Sequence, residues 1–355
     1  MIKNLRELNK RQEKIIAILE KSGKFSVSRI LQEVIEDLGK PIAKITIIRD
    51  LKQLIEFGFI ESEGRGRAVV YGISKYFNFI KPINAEDYFK LEVDKRKGLS
   101  KFNFEIFSFI KNIFYKEEIE YLEKLNNEYK NNIKKLNSEI LKREFERLTI
   151  ELSWKSSQIE GNTYTLLETE SLIKENHEAK GHKKEEAIMI LNHKKTLDYI
   201  RKNTDSFKNM SIAKIENIHF LLTKNLGISR NIRKFPVGIT GTKYRPFDNE
   251  FQIKEALEKT CRLINNEKNH FTKTLFLSIM IAYIQPFSDG NKRTSRLASN
   301  AVLMAHNICP LSYRSVDENE YKKAVILFYE QNNINYFKKL FIEQFEFAVK
   351  NYFRV

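Results

Sequence analysis

The residues best suited to chemistry lie in the segment 285–296, QPFSDGNKRTSR. Pro286 ends an apolar stretch of helical character, and a second helical pattern begins inside the segment. Gly290 allows the backbone to come close to a ligand, and the amides and dipole of a helix start attract anions. Arg293 and Arg296 lie three residues apart, so both guanidinium groups reach over one end of the helix and can bind phosphate oxygens. The pattern predicts a nucleotide-phosphate-binding loop.

A carboxylate stands inside this loop. Asp289 offers a hard oxygen ligand of the kind that Mg²⁺ prefers, and Mg²⁺ accompanies nucleotide phosphates. We therefore expect Asp289 to be a metal ligand. The simpler interpretation is a helix start with surface arginines. It does not explain why one short segment combines a carboxylate, a glycine, a lysine and two arginines.

A second segment, SSQIEGN at 156–162, has the form of a helix end. Ser156 and Glu160 would lie one turn apart on the same face, and Gly161 with Asn162 would cap the helix. By itself this pattern indicates no chemistry.

Together the loop and the helix end resemble the Fic (Fido) family. The family signature is H-x-F-x-[D/E]-G-N-[G/K]-R-x-x-R, and SSQIEGN is similar to the (S/T)-x-x-x-E-(G/N) inhibitory motif of some members. Further similarity lies in IHFLL at 218–222, in VGITGTKYRP at 237–246, and in the helix that contains Glu320 and Tyr321. The resemblance covers roughly residues 100–355, and the presence of two separate motifs makes it specific.

The resemblance implies transfer of AMP from ATP to a Ser, Thr or Tyr hydroxyl of a protein substrate, with ATP and Mg²⁺ as cofactors. Asp289 would bind Mg²⁺. Arg293 would serve binding and catalysis, and Arg296 would hold further phosphate oxygens. The other implied nucleotide-binding positions are Phe287, which packs the loop on the core, the phosphate cradle of Gly290, Asn291 and Lys292, and Asn300, which would face the nucleoside.

The resemblance also implies a flap and an inhibitory contact. The flap would be a small β-hairpin that positions the target segment by strand-like pairing. Glu160 would form an ion pair with Arg296, displace the γ-phosphate and hold ATP unproductively, with Ser156 and Gly161 in the same regulatory motif. The implied flap residues are Gly238, Ile239, Thr240, Gly241, Thr242 and Tyr244.

The sequence departs from the family at the first signature position, where Gln285 replaces the histidine that acts as general base. A carboxamide has no usable basic lone pair near neutral pH, so Gln285 can position a hydroxyl but cannot deprotonate it. Loss of a general base typically costs about 10²–10⁴-fold in rate. Three origins remain open: a natural pseudoenzyme that still binds nucleotide, a natural variant that uses another base or substrate-assisted proton transfer, and a laboratory substitution.

A second departure is Lys292, because many relatives have glycine there. Lysine occurs at this position in the Doc branch, which phosphorylates its target by using ATP in the opposite sense. Arg296, which Doc-type sequences lack, is kept. AMP transfer is therefore favoured over phosphotransfer.

Residues 1–75 resemble a winged helix-turn-helix. Amphipathic stripes indicate three helices, and the pattern then changes to a short hairpin with GRGR at 64–67 as its tip. In such domains the third helix enters the major groove and the wing contacts the backbone. These residues carry 15 basic and 10 acidic side chains, 15 − 10 = +5, which favours DNA binding over a module used only for protein contacts. The expected DNA-binding residues are Thr46, Arg49 and Lys52 on the third helix and Arg65 and Arg67 in the wing.

Composition narrows the remaining possibilities. Thirteen glycines and six prolines among 355 residues leave little room for an all-β fold. With 62 basic and 46 acidic residues, the net charge is 62 − 46 = +16, which favours phosphate-bearing partners. Two cysteines without a CxxC pair argue against a zinc site or a disulfide framework and favour a cytoplasmic location. Neither a signal peptide nor a run of membrane-spanning length is found, so no membrane partner is expected. A homodimer is one option for the assembly.

We therefore expect a mainly α fold, in which a Fic-type helical domain with a small β-hairpin flap follows a winged helix-turn-helix domain. The expected divisions are the winged helix-turn-helix at 1–75, a linker at 76–100, a helical region at 101–209 that contains the motif 156–162, and the Fic core at 210–355.

Two functions of different classes follow. The first is a Fic-type protein AMP-transferase that Glu160 autoinhibits, with weak or absent activity because of Gln285. The alternative is a non-catalytic, ATP-sensing, DNA-binding transcription regulator. In a third version, the winged helix selects a protein substrate for the transferase.

Overall fold

The computed structural model describes residues 8–354, which form fifteen α-helices and one three-stranded sheet. The excess of helix over strand confirms the predicted mainly α fold. Residues 1–7 of the predicted winged helix-turn-helix and Val355 of the predicted Fic core lie outside the described residues. In the described part of the chain, no helix combines the length and the apolar character needed to cross a membrane.

The helices and strands alternate only near the N-terminus. In chain order they are α1 (Lys10–Ser22), β1 (Phe25–Ser26), α2 (Val27–Leu38), α3 (Lys44–Glu56), β2 (Ile60–Glu63), β3 (Val70–Ile73), α4 (Lys75–Ile80), α5 (Ala85–Lys90), α6 (Lys116–Lys135), α7 (Ser138–Gln158), α8 (Leu166–Glu175), α9 (Lys184–Lys202), α10 (Ile212–Thr223), α11 (Glu250–Asn266), α12 (His270–Ile284), α13 (Asn291–Ala305), α14 (Glu318–Gln331) and α15 (Asn335–Asn351).

The N-terminal unit combines α1, α2 and α3 with the small sheet. The strands run antiparallel in the order β1-β3-β2, with Ile60 opposite Ile73. Apolar residues from all three helices are buried together, and Arg11 and Asp50 tie α1 to α3 through a bond of 2.6 Å from Nε to Oδ2. These elements follow the predicted order, while their use as a winged helix-turn-helix stays a prediction.

The segment that the sequence predicts to be a linker folds onto the helical core. It contains α4, α5 and a short 3-10 turn at Val93–Lys95. The side-chain amide of Asn333, between α14 and α15, donates to the carbonyls of Asn78 and Lys81 at 2.8 Å each, and the Ile334 amide donates to the Phe79 carbonyl at 2.8 Å. Because these bonds use the carbonyls at the end of α4, they join the N-terminal unit to the core with a defined orientation.

The centre of the core is α12, in which every residue from 271 to 284 is buried. An apolar helix without a polar face must be surrounded, and α11, α13 and α14 all contact it. A short connection leads from α12 into α13, which is also contacted by α7, α9 and α10. The fold therefore holds the start of α13 in the middle of the helical bundle, and this start belongs to the predicted phosphate-binding loop.

Candidate active site

The loop between α12 and α13 is held by one asparagine side chain. The Oδ1 atom of Asn291 accepts a bond from the Phe287 amide at 2.9 Å, and its Nδ2 atom donates to the Phe287 carbonyl at 2.8 Å. The same Nδ2 atom donates to Oε1 of Gln285 at 2.9 Å. Gly290 precedes α13 with a φ of 78°. A Cβ atom at this glycine would lie 3.1 Å from Cγ2 of Thr223, so both the conformation and the space favour glycine.

Two buried residues outside the motif support the loop from behind. The ring of His219 stacks on Phe287 with centroids 3.7 Å apart, and its Nε2 atom lies 3.0 Å from the Asp289 carbonyl. Burial lowers the pKa of His219 to about 4. Nε of Arg233 donates to the Gln285 carbonyl at 2.7 Å, and burial lowers the pKa of this guanidinium to about 10. Phe287 therefore packs the loop on the core.

Arg296 is completely buried and is bonded to the end of α7. Its Nε donates to Oγ of Ser156 at 2.8 Å, and its Nη2 donates to the Ser156 carbonyl at 2.8 Å. Nη2 also lies 2.9 Å from Oε1 of Glu160. The other carboxylate oxygen, Oε2, lies 2.8 Å from Nζ of Lys292. Burial alone would raise the pKa of Glu160, but Arg296 and Lys292 outweigh burial and lower the pKa to about 2.

Several nitrogen donors in the site have no acceptor among the described residues. They are Nε and Nη1 of Arg293, both buried, and Nη1 of Arg296, a residue that also interacts with the buried Tyr321. The remaining terminal nitrogen of Arg293, Nη2, lies 3.1 Å from Oδ2 of Asp289, whose side chain is 68% exposed. Buried donors without partners cost free energy, and oxygens of a bound anion would satisfy them. This arrangement at the start of α13 fits a phosphate group.

Gln285 lies at the edge of the cleft, and both the amino group and the oxygen of its carboxamide have hydrogen-bond partners. Its Nε2 donates to the Ala282 carbonyl at 2.7 Å and lies 3.3 Å from the hydroxyl of Tyr329, while its Oε1 accepts from Asn291. Burial raises the pKa of Tyr329, so this hydroxyl stays protonated. No histidine lines the cleft in the described part of the chain. Gln285 therefore has neither a basic lone pair nor a histidine neighbour that could supply one.

The cleft itself lies between the loop, Glu160, the flap and α14, and has a volume of about 470 Å³. Gly238, Ile239 and Thr240 of the flap line it, together with Lys322 and other residues of α14. The predicted β-hairpin is wrong in detail. The flap turns at Thr240 and Gly241, but its two arms form no strand ladder with each other.

Because the flap has no strand ladder, contacts with residues outside it fix its position. Nη2 of the buried Arg96 donates to the Gly241 carbonyl at 2.6 Å, and Lys243 donates back to the Arg96 carbonyl. Tyr244 does not present itself to a target. Its hydroxyl donates to the Tyr283 carbonyl at 2.9 Å and its ring is buried against α12, so it anchors the flap. Thr242 accepts a bond from the Tyr244 amide at 3.1 Å and shapes the same turn.

The expectation that Asn300 faces the nucleoside is wrong. This side chain is buried, its Nδ2 donates to the Leu311 carbonyl at 2.9 Å, and its Oδ1 accepts from the Leu311 amide at 2.8 Å. Both ends of the amide therefore serve the segment after α13. Asn300 stabilises the fold and does not line the cleft.

Sequence reasoning missed three residues that shape the site. His219 stands in the IHFLL segment, which carries family similarity, and this signal could have identified it. Arg233 and Arg96 lie in stretches without helical or strand periodicity, and their partners are carbonyl groups. No local pattern indicates such a contact.

On the N-terminal unit, the predicted DNA-binding cations are exposed. Arg49 and Lys52 on α3, Arg65 directly before the 3-10 turn at Gly66–Ala68, and Arg67 within that turn form no ion pair with any described residue. Thr46 is half-buried. The surface therefore keeps the cations that a phosphate backbone requires.

We expect Glu160→Gln to destabilise the fold in a pH-dependent manner. Because the pKa of Glu160 is lowered from 4.5 to about 2, its carboxylate stabilises the folded state above pH 4.5, and this contribution is lost as the pH falls towards 2. The difference in free energy of unfolding at pH 7 should be about 3 kcal/mol. Urea unfolding between pH 7 and pH 3.5 measures it, and Glu120→Gln, on the exposed side of α6, is the control. A difference that stays constant with pH would contradict this assignment.

We expect Gly290→Ala to lower the free energy of unfolding by about 1–3 kcal/mol, because it adds backbone strain and a close contact with Thr223. Gly227→Ala is the matched control, since Gly227 has a φ of 69° and no atom within 4 Å of an added Cβ. The Gly227→Ala variant adds the backbone strain but no close contact of the new Cβ atom. Urea denaturation of both variants compares them, and equal losses would show that the contact with Thr223 is unimportant.

Comparisons with known proteins agree with this geometry. Residues 209–303 match the model of the Fic/DOC family. The protein adenylyltransferase Fic of Nematostella vectensis is 27% identical over 194 residues, which are 51% of this chain and 43% of that protein. The chain thus matches less than half the length of this curated relative.

Solved structures share the fold at low sequence identity. Fic-1 from C. elegans superposes with a TM-score of 0.57 at 15% identity, over 97% of this chain and 98% of that one. A Fic domain containing signaling protein from Bacteroides thetaiotaomicron gives 0.54 at 20% identity, over 66% and 96% of the two chains. A Fic family protein from Desulfovibrio desulfuricans gives 0.55 at 20% identity, over 67% and 74%. The chain therefore contains a Fic/DOC family domain within a mainly α-helical fold that resembles those of Fic-domain structures.

Proposed function

We propose that this chain is a Fic-type protein AMP-transferase that Glu160 autoinhibits and in which Gln285 makes catalysis weak or absent. The observation that carries the proposal is the set of buried, unpartnered guanidinium nitrogens at the start of α13. The relative from Nematostella vectensis, a protein adenylyltransferase, supports ATP as the nucleotide and a protein as the acceptor.

The start of α13 provides the phosphate site. The first amides of a helix have no intrahelical acceptor, and those at Asn291 and Lys292 follow the left-handed Gly290. Arg293 supplies Nε and Nη1 from the buried side, and Arg296 supplies Nη1. Lys292 adds a cation that is partly exposed to the cleft. Together these groups can neutralise a triphosphate and hold its α-phosphorus in a fixed position.

Asp289 would hold Mg²⁺. Its carboxylate is exposed and lines the cleft, and the described residues contain no cluster of three or more metal-binding side chains. A single carboxylate fits Mg²⁺, which commonly takes one or two protein ligands and completes its shell with phosphate oxygens and water. When bound, the ion would neutralise charge on the phosphates.

The acceptor hydroxyl would enter beside the flap. Gly238, Ile239 and Thr240 line the cleft opposite Gln285, and the flap arms have no strand partner of their own. An extended target segment could therefore pair with this backbone. Attack of the hydroxyl on the α-phosphorus forms the new P–O bond and breaks the bond to the β-phosphate, so pyrophosphate leaves and the hydroxyl proton needs an acceptor.

The described residues offer a poor acceptor for that proton. Gln285 is not basic, and His219 lies behind Phe287 with its Nε2 directed at the Asp289 carbonyl. His193 is buried, and burial together with Arg293 and Arg296 lowers its pKa well below the ordinary value. The proton must therefore pass to water or to the substrate, which makes the transfer slow.

Glu160 supplies the proposed restraint. Its carboxylate occupies one nitrogen of Arg296 and the ammonium group of Lys292, which are two of the groups that would bind the terminal phosphate. A γ-phosphate and this carboxylate compete for the same cations and repel each other. ATP would then bind in a pose from which the α-phosphate cannot react.

We expect removal of the restraint and restoration of the base to act together. With α-labelled ATP and Mg²⁺, the Glu160→Gly variant should incorporate little label, because Gln285 still lacks a basic lone pair. The double variant Glu160→Gly/Gln285→His should incorporate label about 10²–10⁴-fold faster. Label bound covalently to the chain is the measured quantity, and calorimetry with ATP and Mg²⁺ on the unmodified protein tests binding separately.

Arg293→Ala in the double variant is the control, and it should abolish labelling by removing phosphate contacts. Strong labelling by Glu160→Gly with Gln285 intact would show that Gln285 does not disable the site. Absence of ATP binding by every variant would end the transferase assignment.

A second function, DNA binding by residues 1–75, is favoured by the four exposed cations that form no ion pair with any described residue. In this alternative the chain is a transcription regulator that senses ATP through the Fic/DOC domain without transferring AMP. Glu61 and Glu63 on β2 are exposed close to the wing and reduce the positive potential there. Attraction of the wing to the phosphate backbone would therefore be weakened.

We expect Arg49→Ala and Arg65→Ala each to weaken duplex DNA binding and to reduce the dependence of log K on log salt concentration by about one unit. Fluorescence anisotropy at several salt concentrations, with and without ATP, measures both. Arg143→Ala on α7 is the control, because Arg143 is exposed and lies far along the chain. Unchanged affinity in the first two variants would remove this function, and absence of any DNA binding would favour selection of a protein substrate by the same unit.

A further inference from the structure

A second groove lies beside the cleft and is lined by residues 100–104, by both arms of the flap and by the chain that follows the flap. Its volume is about 760 Å³. Val237 lines both this groove and the cleft, so the two depressions meet across the first arm of the flap. A chain lying along the groove would continue into the cleft.

The floor of the groove is aromatic and held in a fixed arrangement. The Phe102 ring stacks on Tyr283, with centroids 4.5 Å apart and planes at 25°, and lies 4.4 Å from the Phe247 ring. Phe104 lies 5.5 Å from Phe247. Because Tyr283 belongs to the buried helix α12, these rings do not need to reorganise to receive a ligand.

The rim of the groove is positively charged. Three cations and one carboxylate line it, which gives a net charge of 3 − 1 = +2. Lys243 is used by the Arg96 carbonyl, but Lys101 and Arg245 are exposed and have no ion pair with any described residue. Their backbones are held together, since the Arg245 amide donates to the Ser100 carbonyl at 3.0 Å. Two free cations at fixed positions favour a ligand with carboxylates.

Two exposed phenylalanines adjoin the lining of the groove. Phe235 is 52% exposed and precedes Pro236, while Phe251 is 76% exposed and precedes Gln252. Large exposed aromatic residues next to a concave apolar floor are typical of protein-binding surfaces.

We infer that this groove docks an extended segment of the protein substrate that carries acidic and aromatic side chains and adjoins the modified hydroxyl residue. The inference rests on the proposed transferase function, because that function places the acceptor hydroxyl beside the flap. Lys101 and Arg245 bind the carboxylates, and the Phe102 and Phe247 rings receive an aromatic side chain. Asp248 among the cations and the apolar floor favour a peptide over nucleic acid, whose phosphates a carboxylate would repel.

Fluorescence anisotropy with short labelled peptides on the full chain tests this docking role. Three peptides of equal length contain one threonine and differ in the remaining positions: glutamate with phenylalanine, glutamate with glycine, and lysine with phenylalanine. The first peptide should bind most tightly. The double variant Lys101→Glu/Arg245→Glu should weaken it by about tenfold, and Phe251→Ser by a smaller factor. Arg262→Glu and Leu167→Ser are the matched controls, since one is an exposed arginine of α11 and the other is 76% exposed.

Binding needs no proton acceptor, so the measurement is independent of Gln285. Equal binding of the acidic and basic peptides, equal affinity of the charge-reversed and unmodified proteins, or tighter binding of an oligothymidine of similar length would each overturn the docking role. If ATP still binds in the calorimeter while the peptides do not, the docking role alone is wrong. If the acidic aromatic peptide binds but ATP does not, the transferase function is wrong.

Discussion

The charge of Arg296 has no access to solvent, and the arrangement of the site depends on how that charge is compensated. A buried guanidinium without partners is strongly unfavourable, so its hydrogen bonds must be supplied by other parts of the chain. Here they come from Ser156 and Glu160, at the end of a helix that lies 136 to 140 residues earlier. The need to neutralise one side chain of α13 thus fixes where α7 ends. It also explains why an ordinary-looking helix end carries a serine and a glutamate on one face.

The same constraint links occupancy of the cleft to the position of Glu160. Removal of one member of a buried ion pair typically costs about 3–5 kcal/mol, because the other charge is left uncompensated. Glu160 therefore cannot leave Arg296 and Lys292 unless another anion takes its place. In the proposed function the terminal phosphate of ATP competes for the same two cations, and because Glu160 keeps them, ATP is held in an unproductive pose.

The sequence predicts a structural feature well when the residues that determine it lie close together in the chain. Gly290, the helix start and the spacing of Arg293 and Arg296 act within one short segment, so their arrangement follows from the order of residues. The predicted roles of Asn300 at the nucleoside and Tyr244 at the target differ from the structure, because partners in other segments of the chain determine where these side chains lie. Helical periodicity places Asn300 on a face of α13 but does not say that Leu311 lies opposite it. Proximity to the flap likewise does not show that the Tyr244 ring turns inward onto Tyr283.

Gln285, at the position where the resemblance implies a catalytic histidine, is part of the structure of the loop. Its carboxamide provides two donor contacts, to the Ala282 carbonyl and to Tyr329, and one acceptor contact, from Asn291. A neutral imidazole has only one donor and one acceptor, so a histidine here could not reproduce all three bonds. Because Asn291 also fixes Phe287 and begins α13, the glutamine strengthens the loop at the start of that helix. In the proposed function, the loop thus keeps a rigid cradle for an anion while it lacks a proton acceptor, so that proton removal, not phosphate positioning, would limit the transfer.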